Sequence, residues 1–205
     1  MCENLGVSQQ SDIISIIQEG QRSLAGRRVP SPIQKYALSL MFRFYQRRGV
    51  PRDLNAFGAA AAYIAARHPL SYPNRVPRES FADEFAVRSA SLEWYLKQIL
   101  ATLNFKELRD DEHYPYYIDP LGVIWRLTQA LVEGEVVETI TESLAGKHQK
   151  SRAEIIADIT AKIVAKVNAI PHELAASFKD LVAALVDAEI ENARPYVRLC
   201  RVLTF

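Results

Sequence analysis

The segment Ala59-Ala60-Ala61-Ala62-Tyr63-Ile64-Ala65-Ala66-Arg67 restricts this chain more than any other stretch. Alanine is the best helix former but has little surface to bury, so a helix this apolar is stable where neighbouring helices approach closely on several sides. The expected consequence is a central helix surrounded by others. Elsewhere apolar residues recur at helical spacing, and no segment alternates in and out over a strand's length between hairpin turns, so the chain reads as all-α. With 205 residues, 49% hydrophobic and 24% charged, it has enough apolar surface to fold and enough length for one large domain or two small ones.

Helix signals divide the chain further. A first helix carries Ile13, Ile16, Ile17, Gly20 and Leu24 on one face and ends at Gly26-Arg27-Arg28. Ser31-Pro32 opens a second as N-cap and first helical residue, burying Ile33, Ala37, Leu40, Met41 and Phe44. Its Arg47 and Arg48 complement the carbonyl end of the helix dipole. The alanine-rich helix follows Pro51, then come a turn-rich stretch over residues 68–74 and a short helix over 81–87. A fifth helix, opened by Ser89 or Ser91, aligns Leu92, Tyr95, Leu96, Ile99, Leu100 and Leu103.

Residues 106–117 break the periodicity and read as a linker, with Asp110-Asp111-Glu112 solvated and Tyr114, Tyr116 and Tyr117 packing between the two parts. Beyond it, Asp119-Pro120 caps a helix with Leu121, Ile124, Trp125, Thr128 and Leu131, and another covers about residues 136–144. Ser151 with Glu154 is a capping box before Ile155, Ile159, Ile163 and Val167. Pro171 starts a helix through Phe178, Leu181, Val182 and Leu185, and a last one holds Tyr196, Leu199, Cys200 and Leu203. Five helices fall on each side, which suggests a diverged structural repeat over residues 1–109 and 110–205.

The net charge of +1 hides an asymmetry: residues 1–109 hold 15 Lys/Arg against 9 Asp/Glu, and residues 110–205 hold 10 against 15. A balance of +6 followed by −5 marks the first part as the candidate for an anionic or acidic partner. The two cysteines, Cys2 and Cys200, make neither a disulfide framework nor a zinc site and fit a reducing compartment. No apolar run approaches the roughly 20 residues of a membrane helix, and the start lacks a signal-peptide layout, so no membrane role is expected. No enzymatic constellation or cofactor site emerges. His172-Glu173 resembles a zinc-protease motif, but Ala176 occupies the second ligand position, and His68, His113 and His148 lack partner spacing.

The ordered set AAAAYIAAR over residues 59–67, Val76-Pro77-Arg78, a short helix ending in Ala86-Val87 and the long stripe from Leu92 resembles the core of the transcription factor IIB family. The resemblance is sharpest over residues 50–105. It implies two consecutive five-helix cyclin-like repeats in a non-catalytic transcription initiation factor. Its partners in that reading are the TATA-binding protein, promoter DNA and RNA polymerase, its location is the nucleus, and the chain is monomeric on its own.

Carried over by position, the contacts to DNA or the TATA-binding protein in the first repeat are Arg52, Arg75, Arg78 and Arg88, whose guanidinium forks suit carboxylates and phosphates alike. In the second repeat Arg194, Arg198 and Arg201 share a helix face, with Arg194 near the position of the family's base reader and Glu189 and Glu191 beside it. Lys147, Lys150 and Arg152 form a further basic cluster before the third helix of that repeat. This repeat departs from the family: residues 153–167 are isoleucine-rich and carry Lys162 and Lys166 in place of an alanine run, and no C-x-x-C pair exists for a zinc ribbon. A cyclin-type kinase regulator is the alternative, although its first-helix motif and Lys/Glu grip are absent. A plain helical interaction scaffold is the third reading.

Overall fold

The computed structural model of the protein describes residues 18, 20–22, 24, 29–145 and 150–203, and for residues 144 and 196–203 the backbone alone. Ile13, Ile16, Ile17, the Gly26-Arg27-Arg28 helix end, Lys147 and the side chains of Arg198, Cys200 and Arg201 lie outside what is described. The chain is mostly helical and divides into two compact units, Met1–Glu107 and Leu108–Phe205. No described helix is long and apolar enough to cross a membrane.

In the first unit, helices α1 (Ser31–Arg48), α2 (Leu54–Ala66), α3 (Arg78–Glu84) and α4 (Ser89–Leu103) follow a helical segment in which Gly20 and Leu24 are buried. Helix α2 has the expected central place: every residue from Ala56 to Ala66 is buried, and the helix packs on α1, α3 and α4. Small side chains on all sides let these backbones close in, while Phe57 fills the space between Phe44 of α1 and Tyr95 of α4, at ring separations of 5.0 and 5.7 Å. Asp53 caps α2 by accepting from the Ala56 N–H at 2.9 Å, and its own N–H donates to the Tyr95 hydroxyl at 3.0 Å. Ser31 starts α1 without a capping bond, the N-cap being Pro30, and α4 likewise begins after Arg88 rather than on a serine cap. Arg47 serves a different helix from the one expected, donating to the Thr102 carbonyl at 2.6 Å near the carbonyl end of α4.

Residues 106–118 are not a featureless linker. Strands β1 (Lys106–Arg109) and β2 (Pro115–Ile118) pair as a hairpin. Its turn is built on Asp110, which is buried rather than solvated and accepts from the N–H groups of Glu112 and Tyr114 at 3.1 and 2.8 Å. His113 takes the left-handed conformation (φ 66°) that closes the loop. Four-residue strands are too short for alternation to stand out, and here Tyr116, Tyr117 and Ile118 are all buried in succession.

The second unit has three α-helices among its described residues where five were expected: α5 (Val123–Leu144), α6 (Arg152–Lys166) and α7 (Ala175–Leu203). The two helices expected before residue 145 are one, because Val132 and Val136 continue the buried face set by Trp125 and Thr128 across Gly134. The last two also merge. Phe178, Val182 and Val186 hold one buried line, and α7 runs on through Pro195. Asp119 caps a turn one step ahead of α5, accepting from the Leu121 N–H at 2.9 Å. The Ser151/Glu154 capping box forms as expected at the start of α6, and Ile159, Ile163 and Val167 face inward.

Besides Asp110 and Asp119, a buried carboxylate lies in the helix packing of this unit. Glu135 on α5 is 8% exposed and accepts from Lys162 and Lys166 of α6 at 2.8 and 2.6 Å. The two ammonium donors hold its carboxyl below the usual carboxylate range. A folded-state value depressed in this way contributes stability that is complete above the unfolded carboxylate's titration and is lost as pH falls through the folded one. Glu135→Gln is therefore expected to flatten the acid limb of the second unit's stability. It should also cost about 1 to 2 kcal/mol near neutral pH, since two charge-assisted bonds become weaker ones. Urea midpoints followed by Trp125 in a Trp94→Phe background, from about pH 7 down to about pH 3, check this; an acid limb as steep as in the parent would contradict it.

Candidate functional site

The residues that carry the resemblance in the first unit meet in space. Arg67, at the end of α2, is 1% exposed and donates to the Val76 carbonyl at 2.6 Å, while its guanidinium lies over the Tyr63 ring at 5.3 Å from the centroid. Tyr63 in turn packs edge-on against Phe81 of α3, at 5.3 Å. Asn74 adds a second tie by donating to the Ala66 carbonyl at 3.1 Å. Burial raises the Tyr63 hydroxyl's pKa, and the Arg67 cation partly opposes the shift. The alanine-rich helix and the Val76-Pro77-Arg78 turn are thus clamped together by a buried arginine that binds a carbonyl and covers a ring.

The four candidate arginines stand around α3 and the ends it connects, and the clamp fixes the turn that bears two of them. Arg75 and Arg78 sit at its start; Arg75 is half-buried and donates to the Tyr72 hydroxyl at 3.1 Å. Arg78 is exposed and 3.6 Å from Glu93 of α4, a carboxylate that Lys97 holds more closely at 2.8 Å. Helix α3 then returns along α2, so that Asn55 at the α2 start donates to the Phe85 carbonyl at 3.2 Å. Arg52 precedes that α2 start and Arg88 precedes α4. Seven residues of helix rise separate the Arg78 end from the Phe85 end by roughly 10 Å. Both Arg52 and Arg88 are exposed, and among the described residues their side chains make no hydrogen bond or ion pair. Unpaired exposed guanidinium groups keep their full capacity for phosphate or carboxylate.

The second unit treats its cations differently. Lys150 pairs with Asp158, and Arg152, which stands on the first turn of α6, pairs with Asp187 at 2.7 Å and with Glu191 of α7. Arg194 pairs with Glu191 at 3.0 Å. Glu191, three residues before the expected reading residue, draws Arg194 onto its own helix, and Arg152 is pinned across α6 and α7. These side chains edge a largely apolar groove of about 230 Å³ lined by Val136, Ile140, Ile155 and Ile190. Paired guanidinium groups over an apolar floor make a poor phosphate cradle.

Sequence reasoning passed over two features. Trp94 lies off the buried stripe of α4 and is 56% exposed, six residues beyond Arg88, so an aromatic plane stands on the helix that Arg88 opens. Its position outside the Leu92, Tyr95, Leu96, Ile99 spacing was the available signal. Arg67 had a signal too, as a charge ending an otherwise apolar helix. Among the described residues no cluster of His, Cys, Asp and Glu is arranged to hold a metal ion. No protein-family model and no curated protein matches the chain.

Proposed function

We propose that the protein is a non-catalytic adaptor of transcription initiation, similar to the transcription factor IIB core, whose first unit engages promoter DNA and the TATA-binding protein beside RNA polymerase in the nucleus. The observation that carries the reading is the pair Arg52 and Arg88, exposed and without a side-chain partner among the described residues, which stand with Arg75 and Arg78 around α3. Helix packing fixes the backbone positions of these arginines, so meeting phosphates or carboxylates costs the ordering of their side chains and not of the chain that bears them. Trp94 supplies an exposed aromatic of the kind enriched at interface anchors. The finer reading of cyclin-like repeats belongs to the same proposal and leans on the helices of the first unit; the three helices of the second unit do not support it there.

The reading narrows the contact set. Arg52, Arg75, Arg78 and Arg88 carry the electrostatic contact, while Lys150, Arg152 and Arg194 are retained by their own carboxylates. Binding to a TATA-containing duplex with and without the TATA-binding protein, across a salt series, tests it. Arg52→Glu with Arg88→Glu is expected to weaken the ternary complex by about 10- to 100-fold and to lower the salt slope by about two. Arg194→Gln is expected to leave both unchanged. Retention of the parent by neither DNA nor the TATA-binding protein at low salt would end the proposal.

A further inference from the structure

Helix α5 is apolar on both of its faces. Trp125, Thr128, Val132 and Val136 are buried on the side packed against α6 and α7. On the opposite side Val123, Leu127 and Val137 are 82, 46 and 63% exposed, with Ala130 and Gly134 exposed between them. These five positions follow steps of four, three, four and three, the spacing of a coiled-coil seam. A helix with apolar residues all round is normally covered all round. Leu121, just before the helix, extends the same patch at 59% exposure.

We propose that this face is a self-association surface on which α5 of one copy packs antiparallel against α5 of a second copy. The face is self-complementary under a two-fold axis crossing the helix between Thr128 and Gln129. That axis sets Leu127 against Ala130 of the second copy and Val123 against Gly134 of the second copy, so each layer joins a large side chain to a small one. At Gly134 the space a side chain would occupy is open, with no atom within 4 Å of a Cβ built there. Val137 falls opposite Pro120 of the second copy, next to Leu121, at each end. The same axis brings Arg126 opposite Glu133 of the second copy twice, along one flank of the seam. Both are exposed, and among the described residues neither side chain has an ion-pair partner within the chain. Shape and charge therefore agree on one antiparallel register, which a parallel pairing would not reproduce because it sets Glu133 beside Glu138 and Gly134 beside Gly134.

Sedimentation equilibrium of the full chain tests this independently of any DNA or transcription partner. The weight-average mass is expected to rise from 23.1 kDa toward twice that value between about 1 and 200 μM. Leu127→Glu, at an exposed position, should leave the helical circular dichroism intact and weaken the dimer by about 100-fold or more, since two leucines are lost per dimer. Glu133→Arg should weaken it by about 10-fold, and Arg126→Glu combined with Glu133→Arg should restore it to within about 3-fold. A mass that stays monomeric throughout overturns the proposal, as does a dimer indifferent to Leu127→Glu, growth beyond the dimer, or a charge exchange that fails to restore association.

Discussion

Arg67→Ala is expected to lower the stability of the first unit by about 3 kcal/mol, combining the loss of a buried charge-assisted hydrogen bond with that of the packed stem. The Val76 carbonyl then loses its 2.6 Å donor, and the Tyr63 ring loses the cation above it. Arg67→Lys should recover less than half of the loss, because a compact ammonium lacks the planar fork that reaches the carbonyl while stacking on the ring. Urea unfolding followed by Trp94 in a Trp125→Phe background isolates the first unit, as the chain has two tryptophans, one in each unit. Hydrogen exchange adds a local readout: amides of residues 68–77 should exchange faster in Arg67→Ala even under conditions where α1 and α4 remain protected. Equal exchange in parent and variant would show that the arginine does not hold the turn. On the proposed function, the same variant weakens the ternary complex without touching DNA, because Arg75 and Arg78 lose their fixed positions.

Phe57→Ala should cost about 3 to 5 kcal/mol in the same measurement. Phe57 is fully buried and joins α1 to α4 through its contacts with Phe44 and Tyr95. The residues one turn C-terminal to it in α2, Ala60 and Ala61, are buried and too short to reach into the void. The cost should therefore sit toward the upper end of the range, where the site cannot collapse. Phe57→Leu, closer in volume, is expected to lose less than half as much. A loss below about 1 kcal/mol for Phe57→Ala would mean that α1 and α4 repack directly, contrary to the central position of α2.

The candidate site was legible in the sequence as a set of positions but not as a set of interactions. Arg52, Arg75, Arg78 and Arg88 can be selected by their place in a motif, yet nothing local distinguishes Arg88, which is unpaired among the described residues, from Arg152, which is held by Asp187 and Glu191. Those carboxylates lie 35 and 39 residues away in sequence. Ion pairing over that distance depends on α6 and α7 lying side by side. Glu191 beside Arg194 was readable, because the pair falls within one helical turn.

What the sequence determined by itself is what short-range physics controls. Alanine propensity and an apolar run with no polar face required a helix enclosed by others, and α2 is that helix. The Ser151/Glu154 box closes within three residues and forms as written. Tertiary structure decided the rest. The hairpin over residues 106–118 exists because two four-residue strands find each other and Asp110 ties their turn, an arrangement no four-residue pattern announces. Helix α5 runs long because burial against neighbours outweighs Gly134, which costs a free helix stability, and α7 continues through Pro195 although proline is unfavourable in a helix interior. The outer face of α5 was likewise invisible as a surface, since apolar residues on both sides of a helix acquire an inside and an outside only once α6 and α7 have covered one of them.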